Sequence, residues 1–411
     1  MKNTAKAKLL IFMLIMTMLT GCFGIDIEQY RVMAVVRPDL TGAYVVSAKI
    51  TESEYISYME RNSLTDPKEA AEWMADDIAE RLGWTFPYEV EYGTDGENLL
   101  LGLNVNFNDL ETFCAFFPAA DSETQSNAEN ALGSENIYYC DLSASSTPYT
   151  EVYTYTDTIY PGTIPGELTI LLPGSIAETN GSRKNTPELG ENGVSWSWND
   201  QDVAVPMYLI TAGLVDFDLE IAITTGTGGK TDVTVKATAP IEVANQAATL
   251  YPSGDSLQAL ADRLATGLNL SNYDVSAKPA GSQAEIILKM SGLSPEEVEA
   301  VLVQTGLMSS VTMKADAGLF KGTYEFSGNL SSWQGGVGYP DSVTLTVNLP
   351  GQAEPESFSA NESQQPVSVV SESINWLGII GVAVGCLLVL GGGAVVLGGG
   401  FFLMRRKKDK T

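Results

Sequence analysis

The sequence predicts an α+β fold with two related domains in tandem, each with helices packed on a mainly antiparallel sheet, and one C-terminal transmembrane helix. Three observations predict this arrangement. Signals for a hairpin, a helix, a strand pair and a second helix occur twice in that order. Both series end in Leu-Pro-Gly. A long uncharged segment then precedes a basic tail.

The first series begins with a predicted β-hairpin at 25–51, where turn residues separate two apolar strands. Asp66 is suited to cap a helix, Pro67 fits its first position, and apolar residues recur at helical spacing as far as Leu82. The remaining predicted elements are strands at 88–92 and 99–107 and a short helix after Asp109.

The second series begins with a predicted hairpin at 217–237, around a glycine-rich turn. Asp255 is suited to cap a helix that ends at Leu268, and the leucines between them recur at helical spacing. The remaining predicted elements are strands at 273–275 and 286–288 and a helix from Pro295 with a capping box.

Residues as well as elements correspond between the two series. Met74-Ala75-Asp76 matches Leu260-Ala261-Asp262, and the apolar strand before Pro173-Gly174 matches the one before Pro350-Gly351. This correspondence predicts a diverged tandem duplication. Residues 352–374 are rich in Glu, Ser, Gln and Pro, which is typical of a flexible linker.

The N-terminus has the pattern of a secretory signal peptide: three lysines, then an apolar run from Leu9 to Leu19. Leu19-Thr20-Gly21-Cys22 is similar to a bacterial lipobox, in which the thiol of Cys22 takes the lipid. The alternative is an uncleaved anchor with a buried cysteine.

The C-terminal segment from Leu377 to Met404 carries no charge and is followed by Arg405-Arg406-Lys407-Lys408. This pattern predicts a membrane-spanning helix with a cytoplasmic tail. Gly381 and Gly385 form a G-x-x-x-G motif, which favours a weak homodimer, although glycine is also simply common in such spans.

These patterns divide the chain into six predicted segments. They are a lipoprotein signal peptide (1–21), a first α+β domain (22–212), a second, diverged copy (213–351), a flexible linker (352–374), a transmembrane helix (375–404) and a cytoplasmic tail (405–411). The predicted location is the outer face of the cell membrane, with the chain both lipid-anchored and single-pass.

Composition narrows the functional classes. The net charge of −28 argues against nucleic acid, because binding to phosphates requires a basic surface. The chain has no histidine, which removes serine and cysteine hydrolase triads and histidine-ligated zinc. A carboxylate-based hydrolase remains open. We therefore predict no catalytic residue, no metal site and no cofactor.

Cys114 and Cys140 flank a polar segment that is expected to lie outside the cell, where disulfides persist. We expect a disulfide that closes a flexible surface loop at 119–136. The alternative is two separate buried thiols.

The order of several short motifs indicates a family. A strand ending in Pro173-Gly174, then Asn180-Gly181, then Gly193-Val194-Ser195-Trp196, together with the lipobox and the late span, resembles the LppM-like lipoprotein domain. The resemblance covers the leader, about residues 22–200 and the C-terminal span. It implies an α+β envelope domain that handles lipid or glycolipid, and it implies no reaction.

Two aromatic pairs are candidate ligand contacts. Trp196 and Trp198 alternate along one predicted strand and share a face, and Tyr153 and Tyr155 do the same. Such faces could bind a sugar or an acyl chain, but aromatic residues at strand spacing are usually part of the core.

The sequence therefore predicts a membrane-anchored, non-enzymatic surface lipoprotein that binds an envelope lipid, glycolipid or protein partner. The alternatives are a carboxylate-dependent hydrolase acting on cell-wall glycans, and a structural spacer. An aromatic-lined cavity would favour lipid or glycan binding, whereas two convergent buried carboxylates would favour hydrolysis.

Overall fold

The computed structural model of the protein describes most of the chain after residue 26. The described ranges are 27–81, 86–95, 98–116, 122–160, 166–186, 190–199, 204–247, 250, 256–270, 272–318, 320–331, 336–360, 364–374, 379–380, 382–384 and 386. The chain divides into two compact units. Unit 1 comprises 1–147, 151–215 and 245–256, and unit 2 comprises 148–150, 216–244 and 257–411.

The prediction of an α+β class is wrong, because the fold is mostly β. Strands account for 50% of the structure and form four sheets. The sequence analysis placed Tyr153 and Tyr155 on a strand, but it did not predict the strands at 141–146 and 308–330. Ser is frequent in the first of these segments, and Ser and Gly are frequent in the second. Strand formation does not specifically favour either residue.

In the described part of unit 1, strands form two sheets. They are β1 (Ile27–Val36), β2 (Gly42–Thr51), β3 (Glu89–Asp95), β4 (Asn98–Phe107), β5 (Asp141–Ser146), β6 (Glu151–Ile159), β7 (Gly166–Leu171), β8 (Ser175–Thr179), β9 (Ser182–Thr186), β10 (Gly190–Trp198) and β11 (Val205–Ala212). The helices are α1 (Glu52–Arg61), α2 (Pro67–Arg81), α3 (Leu110–Cys114) and α4 (Ser122–Leu132).

The larger sheet of unit 1 has the order β3-β4-β2-β1-β7-β10-β9, and the smaller has the order β5-β6-β11-β8. All neighbouring strands are antiparallel except β1 and β7. Alternate side chains of the two sheets belong to one buried cluster, which includes Tyr44, Phe107, Tyr155 and Trp196. Burial of this apolar surface is the main stabilising contribution to the unit.

The described residues that follow contain nine strands and three helices. The strands are β12 (Asp218–Thr225), β13 (Thr231–Pro240), β14 (Asp274–Ala280), β15 (Gln283–Leu293), β16 (Met308–Ala317), β17 (Lys321–Leu330), β18 (Ser342–Asn348), β19 (Glu356–Ser359) and β20 (Gln365–Ile374). The helices are α5 (Ile241–Gln246), α6 (Ser256–Gly267) and α7 (Pro295–Gln304).

The sheets of unit 2 repeat the strand order of unit 1. The order β14-β15-β13-β12-β18-β19 corresponds to β3-β4-β2-β1-β7-β10, and the order β16-β17-β20 corresponds to β5-β6-β11. In each unit a parallel pair joins the first strand to the strand that precedes the Pro-Gly turn. These pairs are β1 with β7 and β12 with β18. The tandem duplication remains a hypothesis, which this common order supports.

The two predicted equivalent helices are present as α2 and α6, and each buries an apolar stripe. Met74 and Ile78 are buried on α2, and Leu260, Leu264 and Leu268 are buried on or just after α6. Trp73, which the periodicity placed in the first stripe, is 47% exposed instead. Trp73 lies outside the face of α2 that packs inward, which is formed by Ala70, Ala71, Met74 and Ala75.

The predicted flexible linker at 352–374 contains two strands, β19 and β20. Strand β20 pairs with β17 along its whole length, and Val367 and Val369 are buried. Composition indicated a linker because Ser, Gln and Glu occupy most exposed positions, but the alternating valines form an apolar face.

The prediction of a C-terminal transmembrane helix is corrected as well. Among the described residues, no helix is long and apolar enough to cross a bilayer. Most of the predicted span at 375–404 lies outside the described residues, as do Gly381 and Gly385 of the dimer motif, the leader at 1–21, Cys22 and the tail at 405–411.

Candidate functional site

The predicted disulfide between Cys114 and Cys140 is confirmed. Their Cα atoms are 5.7 Å apart, which is within the usual range for a disulfide. The bond joins the end of α3 to the residue before β5, and both cysteines are half-buried against the core of unit 1.

The segment enclosed by this disulfide is more ordered than a flexible loop. Ser122–Leu132 forms α4, and a short 3-10 turn follows at Ser134–Asn136. Ala128 of α4 is fully buried, so the helix packs on the protein through a small face. Glu, Gln and Ala in this segment favour a helix, and their polarity had suggested a loop.

The four candidate ligand-contact aromatics are buried. Tyr153, Tyr155, Trp196 and Trp198 are each at most 5% exposed and belong to the cluster between the sheets of unit 1. The rings of Tyr155 and Trp196 lie 6.1 Å apart. The Trp196 indole N–H donates to Asn180 Oδ1 at 2.9 Å. These rings therefore pack the core and do not form an exposed platform.

A half-buried carboxyl that the sequence analysis missed lies on the same strand face. Asp157 is half-buried, accepts a hydrogen bond from the Thr158 N–H at 2.7 Å and is 3.5 Å from the Tyr155 hydroxyl. Burial raises the pKa of Asp157 to about 6, against the lowering effect of these hydrogen bonds. Side chains alternate between the two faces of β6, so position 157 shares a face with the buried Tyr153 and Tyr155. This alternation is the sequence signal by which Asp157 could have been identified.

The neighbouring carboxylates Asp76 and Asp77 of α2 bind different partners. Asp76 and Asp77 accept hydrogen bonds from the hydroxyls of Tyr88 and Tyr58, respectively. In unit 2, burial raises the pKa of Asp341, and the carboxylates of Asp216 and Asp218 raise it further. Among the described residues, no group of three or more carboxylate, cysteine or histidine side chains could hold a metal ion.

Unit 1 has a polar cleft of 340 Å³ between the β8–β9 turn and β10. Its lining residues are Asn180, Gly181, Ser182, Lys184, Ser195, Trp196, Ser197 and Val205. Lys184 pairs with Glu167 at 2.6 Å. The Asn180 carboxamide is also used, because it bonds Trp196, the Tyr208 N–H and the Pro206 carbonyl. Much of the polar lining thus has a structural role.

Unit 2 has a larger cleft, of 510 Å³, beside β20. It is lined by Gly351, Gln352, Ala353, Glu354, Glu356, Val370, Ser371 and Glu372. Three of these residues are carboxylates, and Val370 is 62% exposed. Because its lining includes β20 and the chain that follows Pro350, this cleft lies along the outer edge of a sheet.

The position of this cleft can be located in unit 1 by aligning β11 with β20. Thr211 on β11 faces Tyr153 across the sheet, and its hydroxyl donates to the Pro173 carbonyl. Ser371 on β20 faces Tyr324 in the same way, and its hydroxyl donates to the Pro350 carbonyl at 2.8 Å. Thr211 and Ser371 are therefore equivalent.

The two units also correspond at the hydroxyl groups of these tyrosines and at the Pro-Gly turns. The Tyr153 hydroxyl donates to the carbonyl of Pro38 in the β1–β2 turn, and the Tyr324 hydroxyl donates to Thr227 in the β12–β13 turn. The glycines after the two prolines have φ angles of 88° and 89°, which favour glycine.

In unit 1, strand β8 occupies the place of the cleft in unit 2. Ile210, Thr211 and Ala212 of β11 pair with β8 residues Glu178, Ile176 and Ser175. Their equivalents on β20 are Val370, Ser371 and Glu372, the three β20 residues that line the cleft. No described strand pairs with this side of β20. The cleft is thus the position of a strand that the described part of unit 2 lacks.

Comparisons with known proteins add a likeness to a solved structure. No protein-family model and no curated relative matches the chain. Among solved structures, the chain is similar to the NMR structure of the folded domain of Mycobacterium tuberculosis LppM, at 11% identity and a TM-score of 0.22. The match covers 44% of this chain and 88% of that chain. A superposition this poor does not establish a shared fold.

Proposed function

We propose that this chain is a non-enzymatic, lipid-anchored surface protein that binds a protein partner through the cleft beside β20. One observation carries the proposal: the cleft exposes the edge of a strand whose equivalent in unit 1 is paired with β8. Exposed strand edges present unpaired backbone N–H and C=O groups, which are a general means of binding another chain.

The chemistry of the cleft favours a protein over an acyl chain or a sugar. Its lining is mainly polar and acidic, whereas lipid sites are mainly apolar. Among the described residues, no aromatic side chain that could stack on a sugar ring lines the cleft, and the four candidate aromatics are in the core of unit 1. The hydrolase alternative is less well supported, since Asp157 is on a core-facing strand position with Tyr155 and Thr158 as its partners.

The anchoring part of the proposal rests on the sequence Leu19-Thr20-Gly21-Cys22. In cells supplied with a fatty-acid probe, the wild-type chain should incorporate the label and the Cys22→Ser variant should not. Equal labelling of both proteins would rule out lipid attachment at this cysteine.

Partner binding can be tested by site-specific photocrosslinking of the full chain in the organism that makes it. A photoreactive amino acid replaces Val370 at the cleft, and a matched control replaces Val303, which is 48% exposed on α7. We expect one dominant crosslinked protein from position 370 and none from position 303. The protein recovered should then bind the purified chain, and Val370→Arg should weaken that binding.

Two outcomes would contradict the proposal. One is the absence of a crosslinked protein at position 370, and the other is the same set of products from both positions. A recovered protein that binds Val370→Arg as well as it binds the wild type would also contradict it.

A further inference from the structure

We infer that the partner contributes an extended, positively charged segment, which adds to the outer edge of β20 as an antiparallel strand. This inference rests on the proposed function and specifies the chemistry and the geometry of the partner. It follows from three features of unit 2: the open strand edge, the orientation of β8 at the equivalent edge, and the charge of the cleft.

The open edge is long enough to bind a segment of several residues. Strand β20 comprises ten residues, from Gln365 to Ile374, and pairs with β17 through its other edge. At 3.3 Å per residue a strand of this length spans about 30 Å. Alternate backbone groups along the outer edge can each bond an incoming strand, which gives affinity without a deep pocket.

Strand β8 indicates the direction and the position of the incoming segment. It runs antiparallel to β11 and pairs through Leu209 to Ala212, which correspond to Val369 to Glu372. Ile176 of β8 is 8% exposed and lies opposite Thr211. An incoming strand in this register would place an apolar side chain opposite Ser371 and direct its neighbours to the outer face.

The charge of the cleft selects a basic segment. Glu354, Glu356 and Glu372 line it, and all three are exposed. Lys321 pairs with Glu372 at 2.5 Å, but the described residues that line the cleft include three carboxylates and no basic side chain. A strand with lysine or arginine at alternate positions would place its positive charges beside these groups, as cross-strand charge pairs do within sheets.

A second copy of this chain is a poor occupant of the same edge. Pairing β20 with the β20 of another copy would bring two identical acidic clefts together. Like charges placed opposite each other across strands destabilise a sheet, and each chain carries a net charge of −28. The occupant is therefore a different chain with basic character.

Peptide binding to the purified full chain tests the inference. The probe is an acetylated and amidated seven-residue peptide in which lysine alternates with isoleucine or valine. One control peptide has glutamate in place of every lysine, and another has proline in place of the central valine. Hydrogen exchange is measured across residues 365–374, with β11 of unit 1 as the internal reference.

The lysine peptide should slow amide exchange in β20 and leave β11 unchanged, because β8 already covers β11. The glutamate and proline peptides should have no effect. Glu354→Gln and Glu356→Gln should each raise the Kd of the lysine peptide about twofold to fivefold, as expected for exposed charge pairs. Glu296→Gln, the same change on α7, should leave the Kd within about 1.5-fold, because α7 contacts β16 at the other side of the sheet.

The outcomes separate the inference from the proposed function. Equal binding of the lysine and glutamate peptides, or binding with no change in β20 exchange, would overturn the inference even if crosslinking at position 370 identifies a partner. Amides of β20 that already exchange slowly in the isolated chain, and do not respond to peptide, would mean that the chain covers this edge itself. A chain that becomes dimeric and protects β20 at high concentration would identify a second copy as the occupant.

Discussion

Unit 1 and unit 2 have corresponding strand orders, but strands β8 and β9 of unit 1 have no counterpart in the described part of unit 2. In unit 1 the chain after Pro173-Gly174 forms strands β8 and β9, and β8 pairs with β11. In unit 2 the chain after Pro350-Gly351 leads to β19, and β20 is the last described strand of its sheet. One additional strand, β8, thus distinguishes a covered edge from an open one on the same framework.

The open edge is also chemically different from the covered one. Glu372 and the exposed Val370 occupy positions equivalent to Ala212 and Ile210 in unit 1. Charged side chains on an edge strand discourage indiscriminate pairing, and they favour partners of opposite charge. The difference shows how an open edge can carry carboxylates that protect it from indiscriminate pairing.

The largest predicted difference between the two units comes from placing a charged side chain in the core of one of them. Leu264 is fully buried, so Leu264→Asp should lower the unfolding free energy of unit 2 by more than about 4 kcal/mol. Ile78→Asp, at the equivalent position on α2, should do the same to unit 1. Hydrogen exchange mapped along the chain should show loss of protection in one unit and retention in the other.

Val303→Asp is the control for the aspartate itself, because this side chain is exposed on α7 of unit 2. It should change stability by less than about 0.5 kcal/mol. Loss of protection in both units from either buried substitution would mean that the units unfold as one, contrary to the expectation.

The second difference between the units is the disulfide of unit 1. Cys114 and Cys140 are separated by 26 positions, and the described part of unit 2 contains one free cysteine, Cys386. Replacing both bridging cysteines with alanine should lower the unfolding free energy of unit 1 by about 3.5 kcal/mol, the loop-closure value for this length. Reductant should lower the wild-type midpoint similarly and leave the double variant unchanged.

The elements with local signals could be predicted from the sequence. Helix α7 has the expected capping box of Ser294 and Glu297 after a hairpin, and α2 begins at Pro67 as expected. These signals involve residues within one turn of each other, so pairing with distant strands does not alter them. The disulfide was also predictable, because two candidate cysteines remained for one pair.

The fold class and the candidate site depend on pairing between strands that are distant in the sequence. Local sequence patterns do not reveal this pairing. Strand β5, with the sequence Asp-Leu-Ser-Ala-Ser-Ser, forms because β6 lies beside it and not because its residues favour a strand. The cleft beside β20 exists because a strand is missing next to it. That property appears only when the two units are compared strand by strand.

The third difference is a carboxyl group buried in unit 1. Asp157 on β6 corresponds to Gly328 on β17, and burial raises the pKa of Asp157 to about 6. In the unfolded chain an aspartate pKa is about 3.9. Because the folded-state pKa is the higher one, the charged form costs stability above about pH 6. This cost is lost as the pH falls from 6 towards about 4.

Asp157→Asn should therefore raise the unfolding free energy of unit 1 by about 1–2 kcal/mol at pH 8, and by almost nothing at pH 4. Asparagine can still accept the hydrogen bond from the Thr158 N–H. Urea unfolding at pH 4, 6 and 8 measures the difference. A stabilisation of the same size at all three values would show that packing, and not the buried charge, is responsible.

The smallest predicted effect tests the equivalence on which the comparison rests. Tyr153 and Tyr324 each donate a hydrogen bond to a turn carbonyl of the same unit, at 3.3 Å to Pro38 and at 2.7 Å to Thr227. Both acceptor residues are exposed, so water can replace the lost hydroxyl. Tyr153→Phe and Tyr324→Phe should each cost about 0.5–1 kcal/mol, at the lower end for a neutral hydrogen bond.

Because the two bonds lie in different units, the costs should appear separately, with Tyr153→Phe acting on unit 1 and Tyr324→Phe acting on unit 2. Hydrogen exchange should also quicken locally, in the β1–β2 turn for the first variant and in the β12–β13 turn for the second. The shorter bond of Tyr324 predicts the larger cost. If one variant destabilises its turn and the other does not, the two tyrosines are not equivalent. The alignment of Thr211 with Ser371 would then be less well founded.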